Sequence, residues 1–159
     1  MTLPDTLPDS TRVWIYQSNS PIPDEDVPAM RKKIQDFAAG WVSHNRALRS
    51  FGDILHNRFV VLMVDESQAD ASGCSIDSSV RFLKSLQNEH EVDLFDRMVF
   101  SFYCDGEVVS LGREDFSRWY AEGKIDDNTL VFDTLVSNKK DFSENWIKPL
   151  GKSWHKRLL

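Results

Sequence analysis

Cysteine is nearly missing from this chain of 159 residues; Cys74 and Cys104 are the two present. They lie in unrelated contexts without metal-ligand spacing, so a disulfide scaffold is not expected and a reducing cytoplasm is the expected setting. Long apolar runs are absent too. The longest, Phe59 to Val64, has strand length, whereas a bilayer-spanning helix needs ~20 residues. Met1 to Ser10 holds no basic residue and no apolar stretch, so a secretory leader is not expected there. Glycine is scarce, at 7 residues, and forms no Gly-x-Gly-x-x-Gly fingerprint. Gly151-Lys152-Ser153 copies the end of a phosphate-binding P-loop, but Trp146 stands where that pattern needs its first glycine. Nucleotide hydrolysis by a P-loop is thereby set aside.

An excess of positive charge is the last absence. The net charge of −6 argues against broad phosphate-backbone binding, so nucleic acid is not an expected partner, and neither is a membrane. The charge is unevenly spread. From Asn138 to Leu159 six basic residues face Asp141 and Glu144, giving +4 and leaving −10 on residues 1–137. Such a basic segment is expected to be a solvated C-terminal helix with ordinary charges; folding back on the acidic body, an acidic partner or RNA are the alternatives.

What is present suffices for a core. Hydrophobic residues make up 41% and aromatics 11%, well above the composition of disordered chains. Arg12 to Tyr16 reads as a strand. Val27, Met30, Ile34, Phe37 and Trp41 fall at helical steps, predicting a helix from Asp24 to about Val42. Leu48–Leu55 and Arg58–Val64 form a hairpin about His56-Asn57. The second arm lacks polar alternation, so it should be covered on both faces and lie centrally in its sheet. A helix over about Ile76–Asn88 follows, then Met98–Cys104 and Glu107–Leu111 around Asp105-Gly106, a type I′ turn signal. Asp115–Glu122 makes a short helix closed by Gly123, Thr129–Phe132 a short strand, and a last helix starts near Ser137.

These elements predict a single α+β domain over residues 11–159, behind a loose Pro-bearing tail at 1–10. Its expected sheet is mixed or antiparallel, of about six strands, with three or four helices. The first six elements follow the ferredoxin-like order β-α-β-β-α-β.

Chemistry is densest at Ser72–Ser79. There a loop turns into a helix, where unpaired amides and the positive end of the helix dipole suit an anion or a thiolate. Ser72, Gly73, Ser75, Ser78 and Ser79 are candidate binding residues for a small anionic ligand. Cys74, with Asp77 beside it, is the candidate nucleophile or redox thiol, with Ser75 or Asp77 expected to cap the helix. No histidine is near in sequence to serve as its base. The competing assignment for this stretch is plain capping and packing. Asp65, Glu66, Asp93 and Asp96 stand at strand ends; their spacing matches no calcium loop, and structural use is expected. Trp146, Trp154 and His155 are expected to dock the C-terminal segment on the domain. No cofactor motif is present, and the leading expectation is a non-catalytic binding or interaction protein with a small anionic ligand or a protein partner.

Val13-Trp14-Ile15-Tyr16-Gln17, Asn57-Arg58-Phe59-Val60, Val64-Asp65-Glu66, Gly73 to Val80, Asp93 to Arg97 and Ser153-Trp154-His155 together resemble a small bacterial family of Bacteroidetes-type genomes. Its members often carry the label "ABC transporter ATPase". That label implies a Walker loop and a signature motif, and this sequence has neither. The resemblance, over about residues 12–159, implies a bacterial cytoplasmic setting and adds weight to the Cys74 loop, without assigning an activity.

Overall fold

The computed structural model describes residues 3–67 and 69–159; the start of the expected tail and Gln68 of the loop before Gly73 lie outside the described residues. In chain order the elements are β1 (Arg12–Gln17), α1 (Val27–Ala39), β2 (Val42–Ser43), β3 (Arg46–Ala47), β4 (Arg49–Leu55), β5 (Phe59–Asp65) and α2 (Gly73–His90). There follow β6 (Val99–Cys104), β7 (Glu107–Gly112), α3 (Arg113–Ala121), β8 (Leu130–Phe132), α4 (Lys139–Asn145) and β9 (Ile147–Pro149), then 3-10 turns at Leu150–Lys152 and Trp154–Leu158. The fold is α+β, and every sheet is antiparallel.

Three sheets replace the one expected. Their orders are β1-β5-β4, β2-β3 and β7-β6-β8-β9. The ferredoxin-like core is therefore not formed: β1 pairs antiparallel with β5, and β6 belongs to another sheet. The cause is β5 itself, which is buried at every position. One of its faces, Val60, Leu62 and Val64, packs with Met30 and Ile34 of α1 and Leu83 and Leu86 of α2. The other face, Phe59, Val61 and Met63, packs with Phe132 of β8 and with Phe142 and Trp146. An apolar strand open on either side would expose roughly 25 cal/mol per Å² of uncovered surface, so a second sheet is needed as cover. Phe116 of α3 and Leu150 close the far side of that sheet against Phe100 and Phe102. The result is four layers: helices, sheet, sheet, helix.

Local signals account for the turns. His56-Asn57 and Asp105-Gly106 join their hairpins with positive φ at both central residues, as type I′ turns require. A third such turn, His44-Asn45, makes the small β2–β3 hairpin that the sequence reading passed over. At the end of α3 the Gly123 amide bonds the Tyr120 carbonyl and the Lys124 amide bonds that of Trp119, a Schellman cap. Gly52 of β4 lies under α1, where an added Cβ would sit 2.9 Å from the Cγ2 of Ile34.

Both ends of the chain are held to the body. Leu7 is buried, and the Lys139 ammonium donates to the carbonyls of Pro4 and Leu7, so the described part of the Pro-bearing segment packs on the domain. The basic C-terminal segment folds back on acids, with Lys148 on Asp133 and Lys156 on Asp127. No helix among the described residues is long and apolar enough to cross a membrane.

Candidate functional site

Helix α2 begins earlier than the periodicity suggested, because Ser72, and neither Ser75 nor Asp77, is its N-cap. The Ser72 hydroxyl accepts the Ser75 amide at 3.1 Å. Its own proton points to Ser75 Oγ, and the hydroxyls of Ser75, Ser78 and Ser79 donate to the carbonyls of Ser72, Ser75 and Ile76. Every serine proton in this stretch is thus directed within the helix, which leaves an anion no hydroxyl donor. Trp41 adds a bond from its indole N–H to the Ser75 carbonyl, fixing the first turn. Ser75 and Ser79 are buried, while Gly73, Cys74 and Asp77 are exposed.

The hollow beside this turn, of about 520 Å³, is wide open and lined by Ser43, His44, Arg46, Glu66, Asp70 and Ser72 among others. Cys74 and Asp77 are not on its wall. On its wall Glu66 accepts the Ala71 amide and faces Arg12, and the preceding Asp65 accepts the Ser67 amide and the Arg49 guanidinium. The Ser67 bonds, with Arg49 behind them, hold the Asp65 carboxyl below the usual range. Among the described residues no three His, Cys, Asp or Glu side chains group as metal ligands.

A different site lies on the opposite edge of β5's sheet. Strand β1 is that edge, and its residues alternate in direction: Ser18 donates inward to the Arg58 carbonyl, while Val13 and Asn19 donate outward to the carbonyls of Ser137 and Asp93. Ile15 and Gln17 share the outward direction. Among the described residues nothing bonds their outward N–H and C=O groups. They open into a cleft of about 290 Å³ between two walls, one running from Leu94 to Val99 and the other from Thr134 to Ser137. Trp14, Tyr16 and Trp154 also line it.

Both walls are stiff, for reasons local to their sequences. Along the first, Asp93 accepts the Phe95 amide and Asp96 the Met98 amide, successive turns in which a carboxylate caps the backbone two residues on. Glu91 ends α2 in the left-handed region at φ 52°, and Gln87 reaches forward to the Leu94 amide. Along the second, the buried Asp133 accepts the Leu135 amide, the Trp154 indole N–H and the Lys148 ammonium. Burial alone would raise the Asp133 pKa, but those three donors outweigh it and hold the carboxyl below its usual range. Trp154 stacks on His155, whose buried ring bonds Ser153 and whose pKa falls to about 4, chiefly by desolvation. At the cleft's inner end the Gln17 side chain ties β1 to β6, donating to the Val99 carbonyl and accepting the Ser101 hydroxyl.

An apolar side chain stands on the wall: Leu135, which lines the cleft, is 67% exposed. Burial raises the Tyr16 pKa, an effect lessened by the Ser79 hydroxyl and the Arg97 charge. Sequence reasoning named none of Ile15, Gln17, Asp133 or Leu135 as site residues. One signal was available: Arg12 to Gln17 lacks the lysines and prolines with which edge strands are usually blunted. Compared with protein-family models, curated proteins and solved structures, the chain has no match.

Proposed function

We propose that this is a non-catalytic binding protein whose ligand lies in the cleft along β1. The observation that supports this reading is a row of unbonded main-chain groups at the floor of a rigid hollow. Buried backbone groups are bonded in more than about nine cases in ten, so an open row in a cleft is a preformed set of donors and acceptors awaiting a partner. Among the described residues no nucleophile–base pair lines the same space, which favours binding over turnover. The start of α2, where the sequence suggested an anion site at Ser72–Ser79, keeps its hydroxyl donors for itself, and this favours the cleft over it.

Chemical-shift mapping with a library of small fragments tests the reading. Hits should perturb the amides of Ile15, Gln17, Phe95 and Leu135 together, and Leu135→Asp should abolish them. Hits confined to Ser72–Asp77, or an absence of hits at the cleft, would overturn it.

A further inference from the structure

We infer that the occupant of the cleft is an extended peptide segment of another protein, which adds to β1 as a further antiparallel strand. This rests on the binding role given above and names the class of partner.

Three features point to it. The first is periodic charge complementarity. Ile15 and Gln17 each present a partly positive N–H and a partly negative C=O on one side, and the two sets repeat at two strand residues, about 6.8 Å apart. A second polypeptide in extended form carries the matching alternation, and a compact small molecule does not. The second is length. The gap is closed at Val13 by the Ser137 carbonyl and at Asn19 by the Asp93 carbonyl, so it admits one short strand and ends there. Strand β1 of a second folded copy is recessed between the same two walls, so two copies cannot bring these edges together. The third is the rim. Leu135 offers an apolar contact, and the exposed Arg97 makes no ion pair with the described residues. A peptide with apolar side chains at alternate positions and a carboxylate next to Arg97 complements all three features.

The strand pairing adds four hydrogen bonds, two at each of Ile15 and Gln17. None competes with the existing ladder, because the bonds of β1 to β5 leave from the even-numbered residues. Proline at position 15 therefore removes a cleft-facing N–H without removing a ladder bond, as at other edge positions.

The test selects binders from a displayed library of random twelve-residue peptides, using the full chain as bait. The expected peptides alternate apolar residues and carry an acid. In amide hydrogen exchange, Ile15 and Gln17 exchange fast in the free protein and become protected when the selected peptide is added. Leu135→Asp, at an exposed site that does not threaten folding, weakens the peptide about tenfold or more. Ile15→Pro does the same, with folding checked by thermal melting, and Arg97→Glu weakens it several-fold at low salt. Selected peptides that leave Ile15 and Gln17 unprotected, or that are indifferent to Leu135→Asp, would overturn the proposal. Protection of these amides in the free protein that rises with its own concentration would also overturn it, in favour of a second copy. If fragments map to the cleft while no peptide is selected, the strand fails and the binding role survives; if neither binds there, both fail.

Discussion

Helix α2 and strand β1 each end a backbone ladder with unpaired polar groups, and the two solve that problem in opposite ways. At α2 the sequence supplies partners locally: Ser72 takes the Ser75 amide on its hydroxyl and the Ile76 amide on its carbonyl, while the hydroxyls of Ser75, Ser78 and Ser79 close on carbonyls three residues earlier. A helix start can be satisfied by residues a turn away because its groups point along the axis. The outward row of β1 points sideways, and no side chain of the same strand reaches it. Only a distant segment can pair with such an edge, and here the walls at 94–97 and 134–137 approach without bonding Ile15 or Gln17. A polar-rich loop is therefore a poor guide to a binding site when its polarity is spent on its own backbone.

The largest effect expected from that contrast is at Asp133, which organises one wall. Asp133→Ala strands the Lys148 ammonium, the Trp154 indole and the Leu135 amide together. Removing one partner of a buried pair costs about 3–5 kcal/mol, and denaturant unfolding should show a loss near 3, the low end because Lys148 is partly exposed. Asp77→Ala at the exposed start of α2 should change stability by less than about 0.5 kcal/mol. If the two losses are equal, the wall is not held as described.

Acid should act on the same wall. The folded pKa of His155 lies near 4, below the 6.5 of an unfolded histidine. Between those values the unfolded chain binds the extra proton, so this group's contribution is full above pH 6.5 and lost as pH falls towards 4. A shift of this size amounts to about 3 kcal/mol. Asp133, with its folded pKa lowered, adds a further loss as pH falls through that lowered value. Urea unfolding of wild type and His155→Gln at pH 7 and 4.5 should show the wild type losing more; parallel curves would remove His155 from the account.

Smaller effects belong to α2. Ser72→Ala should cost about 1 kcal/mol by uncapping the helix, read as a lower denaturation midpoint, with fragment binding at the cleft unchanged. Alkylation of the exposed Cys74 with iodoacetamide should go to completion on the native protein and leave cleft binding untouched. A midpoint of that reaction well below the ~8.5 of a free thiol, with loss of an activity, would instead favour thiol chemistry at Cys74.

Much of the fold was legible because its causes are local. The unbroken apolar run of β5 announced burial on both faces, and Asn57, Gly106 and Gly123 marked backbone that must adopt positive φ. Asp93 and Asp96 were readable as structural acids, since their partners lie two residues away. The early start of α2 was harder to read, because Ser72 caps without the acidic residue that usually completes a capping box. The site was not legible at all. Asp133 meets Lys148 and Trp154 from 15 and 21 residues away, and Gln17 meets Val99 from 82.

Side-chain periodicity and turn chemistry thus determined by themselves which segments are strands and helices, and which strand had to be central, since those forces act between near neighbours and with water. The division into two stacked sheets was decided by the need to cover β5 twice. Which backbone edge remained open was decided only in three dimensions, because a strand carries the same groups whether or not another segment comes to pair with them.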